Sequence, residues 1–363
     1  MADLSVAAYT IGELSKNLSS CLGKYQDPYG YLAGCTSKWV DLLTRNPAAE
    51  STDLAIIIAV ADDTAVGSLP IYAAFASING TKHRTFLLDG FFLHPEYQST
   101  GIGALMLLRT ISHSKSLVAS GSPRDDARAL YLATGFKELG PLRRYIYFYR
   151  PEIILRKIFR VKSLPSILSL PLAPIFRAYY LLRRRRLKTS LDFKLVAAFP
   201  EEIDALVQQR QDNYFLRDSQ TLNWAMGSQE NLFPFLVFRQ SRCTGYVLLK
   251  TRKQAATGAP HWLPEMSVGN LLDYNLADET AVGKRELINF CISFFRQKRV
   301  ELFECQCLDD GLGGVCSGFG MIRLGGNVVL FRPPPGAQVS NEDTWFLTHG
   351  EGDVILGEVT GTA

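Results

Sequence analysis

Residues 85–104 hold the first arrangement able to do chemistry. A strand-like run, Thr85–Leu93, enters His94-Pro95-Glu96-Tyr97 and then Gln98-Ser99-Thr100-Gly101-Ile102-Gly103-Ala104, and a helix-patterned run follows. A strand, a glycine-containing loop and a helix N-terminus together form an anion site, because the loop amides point at the ligand and the helix dipole favours negative charge. Gly101 and Gly103 would let the backbone approach a pyrophosphate closely. A Gly-x-Gly before a helix also serves as a plain tight turn, so the loop alone leaves both uses open. Downstream stands a second helical stretch, Ala127-Arg128-Ala129-Leu130-Tyr131-Leu132-Ala133-Thr134-Gly135-Phe136, with Tyr131 inside it.

Taken together, the two stretches resemble the GNAT superfamily of N-acetyltransferases. That family's pyrophosphate loop, Gln/Arg-x-x-Gly-x-Gly/Ala, is matched by Gln98, Gly101 and Gly103. Its second motif, Ala-x-x-Leu-Tyr-x-x-x-Gly-Phe, is matched by Ala127, Leu130, Tyr131, Gly135 and Phe136. The resemblance is strong over about residues 50–150. It implies that the amides of Gln98, Ser99, Thr100, Gly101, Ile102, Gly103 and Ala104 hold the pyrophosphate of acetyl-CoA. The pantetheine arm would lie along the strand ending at Leu93, whose backbone could bond the acetyl group. An amine would attack the thioester directly, and Tyr131 would protonate the leaving thiolate, or else only pack beside the cofactor. Thr100 stands where the family loop is commonly basic. Arg124 stands where the family often has Asn, and could contact a CoA phosphate. Leu87 occupies the strand position that often holds Glu. Asp89, two residues on and hence on the same face of a regular strand, is the candidate base, with His94 as a second candidate.

These residues need a framework, and the patterning supplies one. Ile11–Leu22 and Ser37–Thr44 have helical spacing. Asp53–Ala61 is an apolar run that predicts a buried strand, and Ser68–Ile78 and Thr85–Leu93 predict two more, joined by the hairpin signal Asn79-Gly80. Gly101–Ser114 predicts a helix, Ser116–Ala119 a short strand, Asp125–Thr134 a helix and Arg144–Tyr149 a strand. A second block begins near Thr189: a helix over Glu201–Gln211, strands at Phe235–Phe238, Cys243–Lys250 and Asn270–Tyr274, a helix over Glu286–Lys298, and strands at Glu301–Cys307 and Val328–Phe331. This mix predicts an α/β fold of two GNAT-like domains, each a mixed, mostly antiparallel sheet flanked by helices.

The block ends repeat. Gly135-Phe136 through Arg150-Pro151 and Gly318-Phe319 through Arg332-Pro333 each place a Gly-Phe, a glycine turn, an apolar strand and an Arg-Pro exit in the same order. The expected division is a catalytic domain at 1–150, a connector at 151–188, a degenerate copy at 189–335 and a tail at 336–363. The second copy has no Gln-x-x-Gly-x-Gly, and Asp278 and Glu279 at its helix start would repel pyrophosphate. It is therefore expected not to bind CoA. Arg217, Asp218 and Trp224 could serve acceptor binding or simple packing. Thr344–Leu347 is the one apolar run in the tail and a candidate for docking on the second block.

Charge follows the same division. Of 363 residues, 39 are Lys or Arg and 35 are Asp or Glu, a net +4. Residues 151–188 carry ten basic residues and one acidic, a net +9, while the first block nets +1 and the rest −6. An excess confined to one segment argues against a nucleic-acid face. Apolar residues alternate with cations across 151–188. This fits an interdomain linker, a peripheral contact with an anionic membrane, or a lip for CoA or an acidic acceptor. Of the two uncharged stretches, Thr64–Thr81 reads as strand and turn, and Ser163–Phe176 is too short and proline-rich to span a bilayer. Seven cysteines without zinc-ligand spacing predict reduced thiols, no metal and a cytoplasmic site, with possible attachment at the inner membrane face. The expected activity is transfer of an acetyl or short acyl group from CoA to a primary amine on a small molecule. The alternatives are a non-catalytic acyl-CoA sensor and a membrane-surface acyltransferase acting on a lipid or envelope glycan precursor.

Overall fold

A computed structural model describes residues 3–121, 125–149, 190–227, 229–254, 266–277, 279–337, 339 and 344–348. Arg124, Asp278 and the connector 151–188 lie outside the described residues. The chain opens with β1 (Leu4–Thr10), α1 (Ile11–Leu22) and α2 (Ser37–Thr44). Thr10 and Glu13 form a reciprocal cap that starts α1, and Thr36 caps α2 through the Trp39 amide. Then follow β2 (Leu54–Ala61), β3 (Thr64–Ile78), β4 (Thr81–Leu88), β5 (Phe92–Leu93), α3 (Ile102–His113), β6 (Leu117–Gly121), α4 (Asp125–Ala133) and β7 (Lys137–Phe148). The second half holds β8 (Leu191–Leu195), α5 (Glu202–Gln208), β9 (Asn213–Phe215), α6 (Ser219–Met226), β10 (Leu232–Arg239), β11 (Arg242–Gln254) and β12 (Met266–Leu276). It ends with α7 (Ala281–Gln297), β13 (Leu302–Cys307), α8 (Asp310–Gly318), β14 (Ile322–Arg332) and β15 (Trp345–Phe346).

The strands join into one mixed sheet flanked by helices, in the order β1-β2-β3-β4-β6-β14-β7-β13-β12-β11-β10-β8. The order is palindromic in direction. From either end come four antiparallel strands, a parallel pair (β4 with β6, β12 with β13), and an antiparallel step to a strand from the other half. β14 lies against β6, β7 lies against β13, and β7 and β14 pair at the centre. Each half thus lends its last strand to the other, so neither inner edge is left open.

One face of the first half packs Ile102, Met106, Leu107, Tyr131 and Phe136 of the α3–α4 side onto Ile57, Ile71, Phe86, Leu88 and Leu117. The opposite face carries Trp39 and Tyr72 in a core continuous with Ile203, Leu222 and Tyr246 of the second half. Trp224 Nε1 donates to the Leu42 carbonyl at 2.8 Å, fastening α6 to α2. Asp218, the other residue flagged beside it, caps α6 through the Thr221 amide.

The expected strand Thr85–Leu93 is broken. β4 ends at Leu88, and pairing with β3 resumes at Phe92 with one extra residue. Gly90, at φ 67°, makes the bulge, a conformation in which a side chain would be strained. The repeat also has a different register. Gly135 (φ 91°) and Gly320 (φ 80°) occupy the same helix-ending position. The Phe136 amide bonds the Tyr131 carbonyl at 3.2 Å, and the Met321 amide bonds the Cys316 carbonyl at 3.1 Å. The counterpart of Gly135-Phe136 is therefore Gly320-Met321, not Gly318-Phe319, and the counterpart of Tyr131 is Cys316.

Candidate active site

β4 and β6 pair in parallel from Phe86/Leu117 only to Leu88/Ala119. Beyond that point β4 turns off at Asp89 and Gly90, while β6 runs on to Gly121 against β14. The two strands thus separate, and no described segment pairs into the gap. The turned-off chain is held by its other edge: Ser68 faces Phe92, Gly67 faces Leu93, and the His94 amide bonds the Val66 carbonyl at 2.8 Å.

The glycine loop sits at the mouth of this gap. Pro95–Tyr97 form a single 3-10 turn, and the Tyr97 carbonyl accepts from the Thr100 amide at 3.1 Å and from Thr100 Oγ1 at 2.7 Å. Gln98 Nε2 reaches back to the Leu93 carbonyl at 3.1 Å, tying the loop to β5. Gly101 caps α3 in the left-handed conformation, φ 83°, and a side chain there would meet nothing within 4 Å. The requirement for glycine at 101 is therefore conformational, and the space in front of it is open. The first helical bond of α3 runs from the Leu105 amide to the Gly101 carbonyl at 3.1 Å. Among the described residues no carbonyl accepts from the amides of Ser99, Gly101, Gly103 or Ala104, and the Ile102 amide has only a long contact with Thr100 Oγ1, 3.4 Å. Thr100 thus shapes the loop with its hydroxyl. An oxyanion seated here would meet converging donors at a helix N-terminus.

The two candidate proton-transfer groups flank the same break from opposite faces of the sheet. Tyr131 is buried on the α3–α4 side, edge-on to Phe91 at 6.3 Å and to Phe136 at 4.9 Å between ring centroids. Phe91 also approaches the Gly103 position, so it lies between Tyr131 and the loop. Burial pushes the Tyr131 hydroxyl well above the usual tyrosine range, so it stays protonated. Asp89 is buried on the other side, near Tyr72, whose hydroxyl accepts from Trp39 Nε1 at 2.9 Å. Burial, and then the Asp89 charge, push the Tyr72 hydroxyl up as well. His94 lies further out, its ring 4.2 Å from that of Tyr29. Cys35, beside Asp27, is pushed up to about 12 by burial and then by that carboxylate, so it is an inert thiol near neutral pH. Sequence reasoning did not find Phe91, Tyr72 or Trp39. Nothing in their local pattern distinguishes them from core aromatics.

The corresponding place in the second half is closed. β12 and β13 pair in parallel to Leu271/Cys305, and β12 carries the same one-residue bulge just beyond. Here the chain's own tail enters the gap. Thr348 bridges to Cys307, and the Leu308 amide bonds the Leu347 carbonyl at 3.2 Å. Phe346 packs edge-on to Tyr274 at 5.1 Å. Thr348 Oγ1 donates to Asp273 Oδ1 at 3.1 Å, and Arg217 and Tyr246 take up the same buried carboxylate. Arg217 therefore belongs to a structural ion pair. The helix start is also occupied: Thr280 caps α7 through the Gly283 amide, and Glu279 is held by Arg210 at 2.8 Å and by Lys284 at 3.0 Å. Burial pulls the Lys284 ammonium down, but hydrogen bonds to Asp309 and Glu279 outweigh it and hold the group above the usual lysine value.

No protein-family model matches the sequence, and no curated protein matches it as a relative. Solved structures do match. The chain is similar to the GCN5-related N-acetyltransferase from Anabaena variabilis ATCC 29413, with TM-score 0.51 and 12% identity over 91% of this chain and 72% of that one. It is similar to Saccharomyces cerevisiae N-myristoyltransferase with bound myristoylCoA, with TM-score 0.55 and 10% identity over 94% of this chain and 88% of the other. It is also similar to a conserved protein from Enterococcus faecalis V583 described as a probable N-acyltransferase, with TM-score 0.52 and 13% identity over 91% and 72% of the two chains. The chain therefore has the GNAT fold, as the loop and the Tyr131 motif led us to expect. Among the described residues no cluster of His, Cys, Asp or Glu has the geometry of a metal site, and no helix is long and apolar enough to cross a membrane.

Proposed function

We propose that the protein is an acyl-CoA-dependent N-acyltransferase with one donor site per chain, formed by residues 85–136. The observation that carries this is the pairing of an open strand gap with uncommitted amides at a helix start, both set by the break at Asp89–Gly90. The pyrophosphate would rest on the amides from Ser99 to Ala104, the pantetheine would run along Phe91–Leu93, and the thioester would reach the gap between Tyr131 and Asp89. Tyr131, held protonated by its apolar pocket, would give its proton to the leaving thiolate. Asp89 would receive a proton from the incoming amine, directly or through water. Arg124, outside the described residues, is proposed as a further CoA phosphate contact. We propose an acetyl or short acyl donor and a small-molecule primary amine as acceptor. Calorimetric titration with acetyl-CoA tests the donor site, and thiol release across an amine panel separates an enzyme from a sensor.

One observation favours a second donor. The likeness to the myristoyl-CoA-bound enzyme covers more of both chains than does the likeness to the acetyltransferases. Competition between acetyl-CoA and myristoyl-CoA decides between them: displacement of acetyl-CoA by sub-stoichiometric myristoyl-CoA would overturn the short-acyl assignment.

We further propose that the two halves are copies of one fold, with the second retaining the architecture and not the donor site. The palindromic strand order and the paired bulges support this reading. A cytoplasmic location, with residues 151–188 touching an anionic membrane, is supported by the +9 of that segment and by seven unpaired cysteines. Vesicle flotation with and without anionic lipid tests the contact, and failure to co-float with either vesicle removes it.

A further inference from the structure

The sheet has two outer edges, and they are built differently. β8 closes one end. It is five residues long, and its Asp192 and Lys194 keep 68% and 59% of their side-chain surface exposed. A short strand carrying charges is a poor template for another chain. β1 closes the other end. Its seven residues, Leu-Ser-Val-Ala-Ala-Tyr-Thr, include no charge, proline or glycine. Its pairing with β2 runs in unbroken register from Leu4/Ala61 to Tyr9/Ile56. Among the described residues no strand lies on its outer side. That side therefore presents a row of backbone N–H and C=O groups without the devices that keep an edge from pairing.

Both faces of β1 are packed. Leu4, Val6 and Ala8 lie against the core beneath α3, with Ile102, Met106 and Leu107, while Ala7 and Tyr9 lie against the opposite core, that of Trp39. What remains available is the edge itself. α3 lies over β1 and β2. On its outer side Leu105 and Leu108, neighbours at helical spacing, are 50% and 53% exposed. Two large apolar side chains thus stand in water above the same end of the sheet as the uncharged edge. Such a combination marks a protein contact.

We propose that the β1 edge is an interface between two copies of this chain, paired antiparallel about a dyad at Ala7. A pair centred there sets Leu4 opposite Thr10, Ser5 opposite Tyr9 and Val6 opposite Ala8. Every residue meets one of its own parity, so the α3 faces of both copies fall on one side of the joined sheet. The exposed leucines of the two α3 helices then flank the seam together. No charge stands opposite a like charge, and small side chains at Ala7 and Ala8 occupy the centre. The contact is isologous, with the same strand and the same leucines on each copy. A foreign strand would need a charge or a side-chain pocket to select it, and an uncharged strand packed on both faces supplies neither. The interface does not depend on the acyl-transfer reading.

Sedimentation equilibrium of the full chain tests the interface. The expected result is the mass of two chains at micromolar concentration, at high salt as at low, because no ion pair holds the seam. Ala7→Lys sets two ammonium groups opposite one another at the dyad and should weaken the dimer at least tenfold. Leu105→Lys combined with Leu108→Lys should weaken it at least tenfold as well. Thermal unfolding confirms that each variant is folded. If Ala7→Lys does not fold, the double variant, altered only at exposed side chains, decides alone. A native chain that sediments with the mass of one chain overturns the interface, and so does a dimer that either folded variant leaves unchanged.

Discussion

The two halves of the sheet differ at the same point. Each has a parallel strand pair that ends at a one-residue bulge, and each has a helix starting just beyond. In the first half the bulge is Gly90, the helix cap is Gly101 in the left-handed conformation, and the gap is open. In the second half the cap is Thr280, whose own hydroxyl serves the helix amides, and the gap holds Phe346, Leu347 and Thr348. Tyr131 has Cys316 as its counterpart. Cys316 is a fully buried thiol raised by that burial. On the proposed reading, little separates a donor site from a structural copy. A side-chain cap in place of a glycine cap spends the helix N-terminus internally, and a few tail residues complete the pairing that a pantetheine arm would otherwise find open.

That contrast can be broken from either side. The largest effect is expected at Gly101. Gly101→Glu forces a side chain into a left-handed position and sets a carboxylate among the amides; losing two charge-assisted hydrogen bonds weakens acyl-CoA binding on the order of 1000-fold. Calorimetry reads this directly, and an affinity within tenfold of the native protein would contradict the loop assignment. Next is the plug. Phe346→Ala removes a buried ring and should lower stability by about 3 kcal/mol, measured by denaturant unfolding. It should leave the acyl-CoA stoichiometry at one, because Thr280 still caps α7; appearance of a second site would mean that the tail alone suppresses it.

Tyr131→Phe should lower turnover roughly 100-fold with little change in donor affinity, since a single general acid contributes at about that level. The pH dependence carries its own sign. The folded pKa of Tyr131 is raised, so the proton is retained on the alkaline side. The limb caused by its loss lies above the ordinary tyrosine value of about 10, not below it. A Tyr131-dependent fall near pH 8 would remove it as the acid. Smallest is Thr280→Ala, which should cost about 1 kcal/mol of stability as a lost N-cap and leave donor binding unchanged.

Much of this was legible in the sequence. The loop at Gln98–Ala104, the turn at Asn79-Gly80 and the helix at Ser37–Thr44 are carried by residue types with one strong local reason to be there. The bulge was not legible. Thr85–Leu93 is mostly apolar and β-prone on both sides of Asp89-Gly90, and only pairing with β3 shows that Gly90 interrupts it. The repeat was seen two residues out of register, because Gly318-Phe319 imitates the motif that the backbone places at Gly320-Met321. α8, with glycines at 311, 313, 314 and 318, has poor helix propensity and is held by burial of Leu312 and Cys316. The tail plug rests on β15, two residues long, whose strand partner β9 lies 132 positions earlier in the chain.

The central claim is one open donor site and one closed copy, and binding stoichiometry tests it most directly. Titration of the full chain with acetyl-CoA should give one site per chain, and the Gly101→Glu variant should give none. Two sites per chain, or one site that survives Gly101→Glu, would contradict the account.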